Sequence, residues 1–256
     1  MQLLVSVRSA AEVPAALVGG ADIIDAKEPS RGSLGPVSAA TLAEILAQVP
    51  DRHAASVALG DVGTAEELSH ALGSLDLPTR SAPTFLKLGF AGVTSAKVVR
   101  ELLSTAVRFA ADRPSPALIV AVAYADASRA EALSPELVCS SAHEAGAAGV
   151  LVDTYVKDGA GLLQWLTPTA LAAWVAGVRR VGLISAVAGG LQPDDVAVVG
   201  VATPDVIGFR GAVCDGGRSG ELSARRVAGL RRQLNGITGG HLGRRAYAGT
   251  GPSRNA

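Results

Sequence analysis

The sequence predicts a (β/α)8 TIM barrel, an α/β fold, and three observations carry that prediction. Eight short apolar, β-branched runs alternate with longer Ala/Leu/Glu-rich stretches across residues 1–235, the pattern of parallel strands joined by crossover helices. A closed barrel also removes both edges from such a sheet. The turn after the first run, Val7-Arg8-Ser9-Ala10-Ala11, carries no glycine, whereas an open doubly wound sheet of the dinucleotide-binding kind expects a glycine-rich turn there.

Taken in order, the predicted strands are Gln2–Val7, Asp22–Lys27, His53–Leu59, Phe85–Gly89, Ala117–Ala123, Gly149–Asp153, Val181–Ser185 and Asp205–Phe209. The helices between them are expected to start near Ala10, Ser38, Thr64, Thr94, Ser134, Pro168 and Gln192, and the last to run from about Gly220 to Leu234. Capping chemistry marks several starts. Ser38 precedes Ala39, Thr64 is followed three residues later by Glu67, and Thr167 precedes Pro168 at a first helical position. Residues 1–235 therefore read as a single catalytic domain. Residues 236–256, with Gly239-Gly240, Arg244-Arg245 and Gly249 to Pro252, read as a mobile Gly/Arg-rich tail.

Composition limits the function. The formal net charge is zero, so no basic field points to nucleic acid or to an anionic membrane. Hydrophobic residues make up 48% of the chain, and the longest apolar run, Ala117 to Ala125, is too short for the roughly 20 residues a membrane-spanning helix needs. The opening Met1-Gln2-Leu3-Leu4-Val5-Ser6-Val7-Arg8 lacks a cationic head and a small-residue cleavage site, and reads as a strand rather than a leader. A cytoplasmic protein is expected. Cys139 and Cys214 stand too far apart for a disulfide scaffold or a CxxC metal site, and His53, His70, His143 and His241 form no metal-ligand pattern. Apolar faces around Trp165 and Trp174 suit either core or a homo-oligomer interface.

The informative feature is the placement of lysine. The chain has four lysines against nineteen arginines, and Lys27, Lys87 and Lys157 fall on or just after strand-like runs. Arginine stays protonated, whereas a desolvated lysine becomes a nucleophile or a base. Barrel enzymes carry their chemistry at the C-terminal strand ends. There the second strand offers Asp25 and Lys27 on one face, the fourth offers Lys87, and the sixth ends in Asp153 before Thr154-Tyr155-Val156-Lys157. Two carboxylates and three lysines are expected to converge on one mouth. Stability alone gives little reason to desolvate so many charges. A free lysine titrates near 10.4 and a working amine nearer 7–8, a shift of roughly 4 kcal/mol that burial and neighbouring ammonium groups supply.

Two glycine-rich loops look built for anions. Ser185 to Leu191, with Gly189 and Gly190, follows the seventh strand. Arg210-Gly211-Ala212-Val213-Cys214-Asp215-Gly216-Gly217-Arg218 follows the eighth. Barrels often bind phosphate at these positions, through backbone N–H groups that glycine leaves accessible. Arg31 and Ser33, after the second strand, form either a second phosphate clamp or a tight turn.

These segments together carry a resemblance. Asp25-Ala26-Lys27-Glu28-Pro29 with Gly32-Ser33-Leu34-Gly35, Lys87-Leu88-Gly89, Asp153-Thr154-Tyr155-Val156-Lys157-Asp158-Gly159, and Arg210-Gly211-Ala212-Val213-Cys214 with Gly216-Gly217-Arg218 resemble the (5-formylfuran-3-yl)methyl phosphate synthase family of methanofuran biosynthesis. The resemblance runs in order from residue 1 to about residue 235. It implies a cofactor-free lyase that condenses two molecules of glyceraldehyde 3-phosphate into one furan phosphate with release of phosphate and water. It further implies an imine on Lys27, Lys87 as the proton-transferring base, and Lys157, Asp25 and Asp153 completing the site. In a bacterial host, which the Ala- and Arg-rich composition suggests, the furan would enter a methylofuran-type coenzyme or another product. Two rivals remain at this point: an imine-forming class I aldolase acting on sugar phosphates, and a barrel that binds a phosphorylated metabolite without converting it.

Overall fold

The computed structural model describes residues 1–113, 115 and 117–238. Eight parallel strands, β1 (Gln2–Val7), β2 (Ile23–Ala26), β3 (Ala54–Asp61), β4 (Thr84–Gly89), β5 (Ala117–Tyr124), β6 (Gly149–Asp153), β7 (Ile184–Val187) and β8 (Val206–Phe209), pair in sequence order. The barrel closes where β1 pairs with β8, Gln2 opposite Val206 and Val5 opposite Phe209. The helices α1 (Val13–Val18), α2 (Ala39–Gln48), α3 (Ala65–Gly73), α4 (Ala96–Ala111), α5 (Pro135–Glu144), α6 (Pro168–Arg180), α7 (Asp195–Ala202) and α8 (Ala224–Thr238) follow the strands in turn.

Capping follows the side-chain chemistry. The hydroxyls of Ser38, Ser95, Ser134 and Thr167 each accept from a backbone N–H in the first turn of their helix, and Thr64 and Glu67 form a reciprocal capping box.

Several boundaries differ from the sequence expectation, most of all in the last two βα units. β7 begins at Ile184, not Val181. α6 runs to Arg180 and closes through Gly182 N–H to Arg179 O and Leu183 N–H to Val178 O, with Gly182 at φ +81°, so Val181 ends a helix instead of opening a strand. α7 starts at Asp195 rather than near Gln192. α8 starts at Ala224 and continues to Thr238, because the residues before it form a hairpin of β9 (Cys214–Asp215) and β10 (Glu221–Leu222). The expected mobile tail lies, from residue 239 onward, outside the described residues.

The strands alternate between two apolar layers. Outward-facing Val5, Ile24, Ala26, Leu86, Leu88, Ala121, Val150 and Val152 pack against the helices. Inward-facing Ile23, Phe85, Val120, Val122, Leu151, Ala186 and Val206 plug the interior. Above that plug, nearer the strand C-termini, the inward positions turn polar.

Candidate active site

Alternation decides which side chains meet. Outward Ile24 and Ala26 leave Asp25, and Lys27 just past the end of β2, facing the interior. Outward Leu86 and Leu88 do the same for Lys87 on β4. With Asp153 at the end of β6 and Lys157 in the following loop, these five residues line one cavity of about 310 Å³. The fold thus brings together all five residues proposed from the sequence to carry chemistry.

Two of the three lysines are paired. Lys87 Nζ lies 2.6 Å from Asp25 Oδ1, and Asp25 Oδ2 accepts from Ser6 Oγ at 2.7 Å. Burial works to raise the Asp25 carboxyl, but Lys87, Lys27 and the Ser6 hydroxyl outweigh it and hold the group below the usual carboxylate range. Lys157 Nζ donates to Asp153 Oδ1 at 2.6 Å and to Thr154 Oγ1 at 3.0 Å. Asp153 Oδ1 also accepts from the Thr154 N–H at 2.7 Å. Burial again opposes ionisation there, and Lys157, Lys27 and the Thr154 N–H overcome it, so Asp153 too stays a carboxylate.

Lys27 differs from both. It is 8% exposed and, among the described residues, its amine makes no ion pair or hydrogen bond. Burial lowers its pKa from 10.5 to about 8; attraction to Asp153 and Asp25 opposes that fall, and the ammonium groups of Lys87 and Lys157 add to it.

The anion loops sort into residues that face the cavity and residues that do not. Gly189, Gly190, Gly211, Gly217 and Arg218 line it. Gly189 at φ +111° and Gly190 at φ +61° adopt backbone that other residues rarely take. Among the described residues, the N–H groups of Gly189, Gly190 and Gly217 meet no protein acceptor, so they are available to an anion. Arg218 gives Nη2 to the carbonyls of Pro29 and Gly32 and keeps its other donors.

Three sequence expectations are corrected here. Arg210 lines the cavity, but all five of its donors are used inside the protein. Nη1 reaches Ser6 O and Glu12 Oε2 at 3.1 and 2.5 Å, Nη2 reaches Glu12 Oε1 and Gly220 O at 3.0 and 3.1 Å, and Nε reaches Arg218 O at 2.9 Å. It braces the loop and has no donor for a phosphate. Ser33 is buried away from the cavity, with its hydroxyl 3.4 Å from Tyr124 Oη. Gly216 forms part of the hairpin turn at φ +86° and does not reach the cavity.

Sequence reasoning missed several contributors. Glu12, buried in the short turn after β1, pairs with Arg210. Asp126, 1% exposed, accepts from the N–H groups of Tyr155 and Val156 at 2.6 and 3.0 Å and so holds the loop that carries Lys157. Its place just beyond β5 was the available signal, since strand ends are where barrel function sits. Ser6 and Ser56 gave no signal, because serine in an apolar run reads as a small core residue.

A family profile described as 4-HFC-P synthase matches residues 3–231. The chain belongs to this family. The (5-formylfuran-3-yl)methyl phosphate synthase of Methanosarcina mazei is 35% identical over 234 residues, covering 90% of this chain and 97% of that relative. The family member of the same name from Archaeoglobus fulgidus is 31% identical over 240 residues, covering 92% and 100%. Among solved structures, 3-hexulose-6-phosphate synthase from Salmonella typhimurium matches with a TM-score of 0.59 at 18% identity, covering 91% of this chain and 100% of that one. Phosphoribosyl anthranilate isomerase from Thermus thermophilus matches with 0.58 at 13%, covering 93% and 100%. At such identities the structures speak for the shared barrel, while the family rests on the sequence relatives.

Proposed function

We propose that this protein is a lyase that condenses two molecules of glyceraldehyde 3-phosphate into (5-formylfuran-3-yl)methyl phosphate, releasing phosphate and water, through an imine on Lys27. The observation that carries this reading is the contrast among the lysines. Lys87 and Lys157 are ion-paired with Asp25 and Asp153, while Lys27 alone of the three is buried without an ion-pair partner and has its pKa lowered to about 8. A neutral amine is what attacks an aldehyde carbon.

In this reading the aldehyde of one triose phosphate condenses with Lys27 and loses water. The Lys87–Asp25 pair moves the proton that converts the imine to an enamine, whose carbon attacks the second aldehyde. Lys157 and Asp153 supply and accept protons as phosphate is eliminated and the ring closes and dehydrates, and hydrolysis of the remaining imine, which takes up the water lost in the first step, releases the aldehyde and regenerates the Lys27 amine. The N–H groups of Gly189, Gly190 and Gly217, with Arg218, hold a phosphate at the mouth. Membership of the synthase family supports the product, and the absence of an amine partner supports the imine. Triose phosphates are charged metabolites made in the cytoplasm, so that compartment is the proposed place of action.

The test is to incubate purified protein with glyceraldehyde 3-phosphate, add borohydride and map the modified peptides, while an untreated sample is followed for furan absorbance and phosphate release. The expected result is a reduced adduct on Lys27 together with a furan product, and loss of both in a folded Lys27→Arg variant. An adduct without a furan would convert the reading to an aldolase. Substantial turnover by Lys27→Arg would remove the imine.

A further inference from the structure

At the floor of the cavity the buried Ser56 Oγ lacks a hydrogen-bond partner, and on the neighbouring strand Asp25 Oδ1, ion-paired with Lys87 at 2.6 Å, keeps a further lone pair for a donor. They stand on adjacent strands at matched register, Asp25 opposite Ser56 in the β2/β3 pair. Ser56 is 1% exposed and lines the same cavity as Lys27, Asp25 and Lys87. Its neighbours Ala55 and Val57 belong to the outer layer, so Ser56 faces inward into the cavity it lines. Alanine would serve equally if volume were the only requirement. A buried hydroxyl without a partner is unfavourable, and the asymmetry of the pair is informative: Asp25 Oδ1 can only accept, whereas Ser56 Oγ can donate.

We infer that Ser56 and Asp25 Oδ1 form a subsite for a substrate hydroxyl on the carbon next to the reacting carbonyl, which makes Ser56 a specificity-determining residue for α-hydroxy aldehyde phosphates. The inference rests on the triose phosphate reading above. A ligand hydroxyl donates to the remaining lone pair of Asp25 Oδ1 and accepts from Ser56 Oγ, and so satisfies the Ser56 donor while adding a bond to the carboxylate. The phosphate is held at the mouth by Gly189, Gly190 and Gly217, the carbonyl carbon meets Lys27 two residues above Asp25 on the same strand face, and the hydroxyl on the adjoining carbon drops between Asp25 and Ser56. The site discriminates because a substrate lacking that hydroxyl leaves the buried Ser56 hydroxyl without a partner.

Two unreactive ligands that differ only in this group test the assignment: glycerol 3-phosphate and 3-hydroxypropyl phosphate, titrated calorimetrically into the wild-type protein and the Ser56→Ala variant. The wild type is expected to bind glycerol 3-phosphate about tenfold more tightly than its deoxy counterpart, and Ser56→Ala to bring that ratio close to one while leaving the affinity for 3-hydroxypropyl phosphate nearly unchanged. The variant's melting temperature is expected to stay level or rise, because the substitution removes an unsatisfied group, and Ser56→Cys, with a weaker donor of similar shape, is expected to give an intermediate ratio. Equal binding of the two ligands by the wild type, binding of neither, or an unchanged ratio in both variants would overturn the subsite. Furan formation by the wild type is read separately, so a protein that makes furan but shows no Ser56 effect loses only this inference, and one that shows the ratio effect without furan loses only the synthase reading.

Discussion

Lys27 sets the pH behaviour of the site. Its amine is mostly protonated below about pH 8, so kcat/KM is expected to rise with pH along a limb centred near 8, and a pH–rate profile checks this. The same shift has a stability consequence of definite sign. The folded pKa lies below the unfolded value of 10.5, so between about 8 and 10.5 the unfolded chain binds more protons, and stability rises with pH through that window. Below it the full penalty for burying the ammonium is present. Lys27→Met is therefore expected to stabilise the protein at pH 7 by up to ~3 kcal/mol, with the gain shrinking toward pH 10.5, as urea unfolding at several pH values will show. A destabilised variant at pH 7 would mean that the amine is favourably paired. At this scale the sequence was partly legible. Lysine's rarity and its strand-end positions pointed to Lys27, Lys87 and Lys157, because a charge in an apolar run is visible in one dimension. Arg210 misled, because a charge beside glycines looks identical whether its partner is a phosphate or a glutamate 198 residues away.

At the scale of elements, the loops on which the site depends are braced by buried carboxylates. Asp126 fixes the segment leading to Lys157 through two backbone N–H groups. Glu12 neutralises Arg210, which in turn ties the β8 loop to Ser6 O, Arg218 O and Gly220 O. Glu12→Gln leaves a buried guanidinium without its counter-charge, which is expected to destabilise the protein by about 3 kcal/mol. The functional effect should fall on binding. With the loop that carries Gly217 and Arg218 loosened, KM for a phosphorylated substrate is expected to rise several-fold while kcat changes little. Steady-state kinetics on the folded variant separate the two, and a fall in kcat at constant KM would place Glu12 in the chemistry instead. The strands and helices themselves were largely readable from apolar periodicity and capping residues. The braces were not, because each joins segments whose proximity only the closed barrel creates.

At the scale of the whole molecule, the two ends of the barrel do different work. The charged cavity opens at the C-terminal strand ends, while the opposite face joins the two ends of the barrel domain. α8 lies against the end of α1. Val227, Leu230 and Leu234 are buried, Arg231 donates to Gly20 O at 2.9 Å and pairs with Asp22, and a Cβ added at Gly19 would stand 2.4 Å from Val227 Cβ and 2.9 Å from Ala224 O. That close approach needs glycine for space, since Gly19 sits at an ordinary helical φ of −71°. Gly19→Ala must therefore push α8 away from the first βα unit, at an expected loss of about 1–3 kcal/mol in unfolding free energy. Because β1 also closes the barrel against β8, the loss should appear as a lower midpoint of one cooperative transition and not as a separate melting of α8. Catalysis at the far end has no contact with this seam, so kcat/KM of the folded variant is expected to match wild type well below the new midpoint. A variant of unchanged stability would show that the seam can relax around a methyl group, and one with normal stability but altered kinetics would show that the two faces are coupled through the strands.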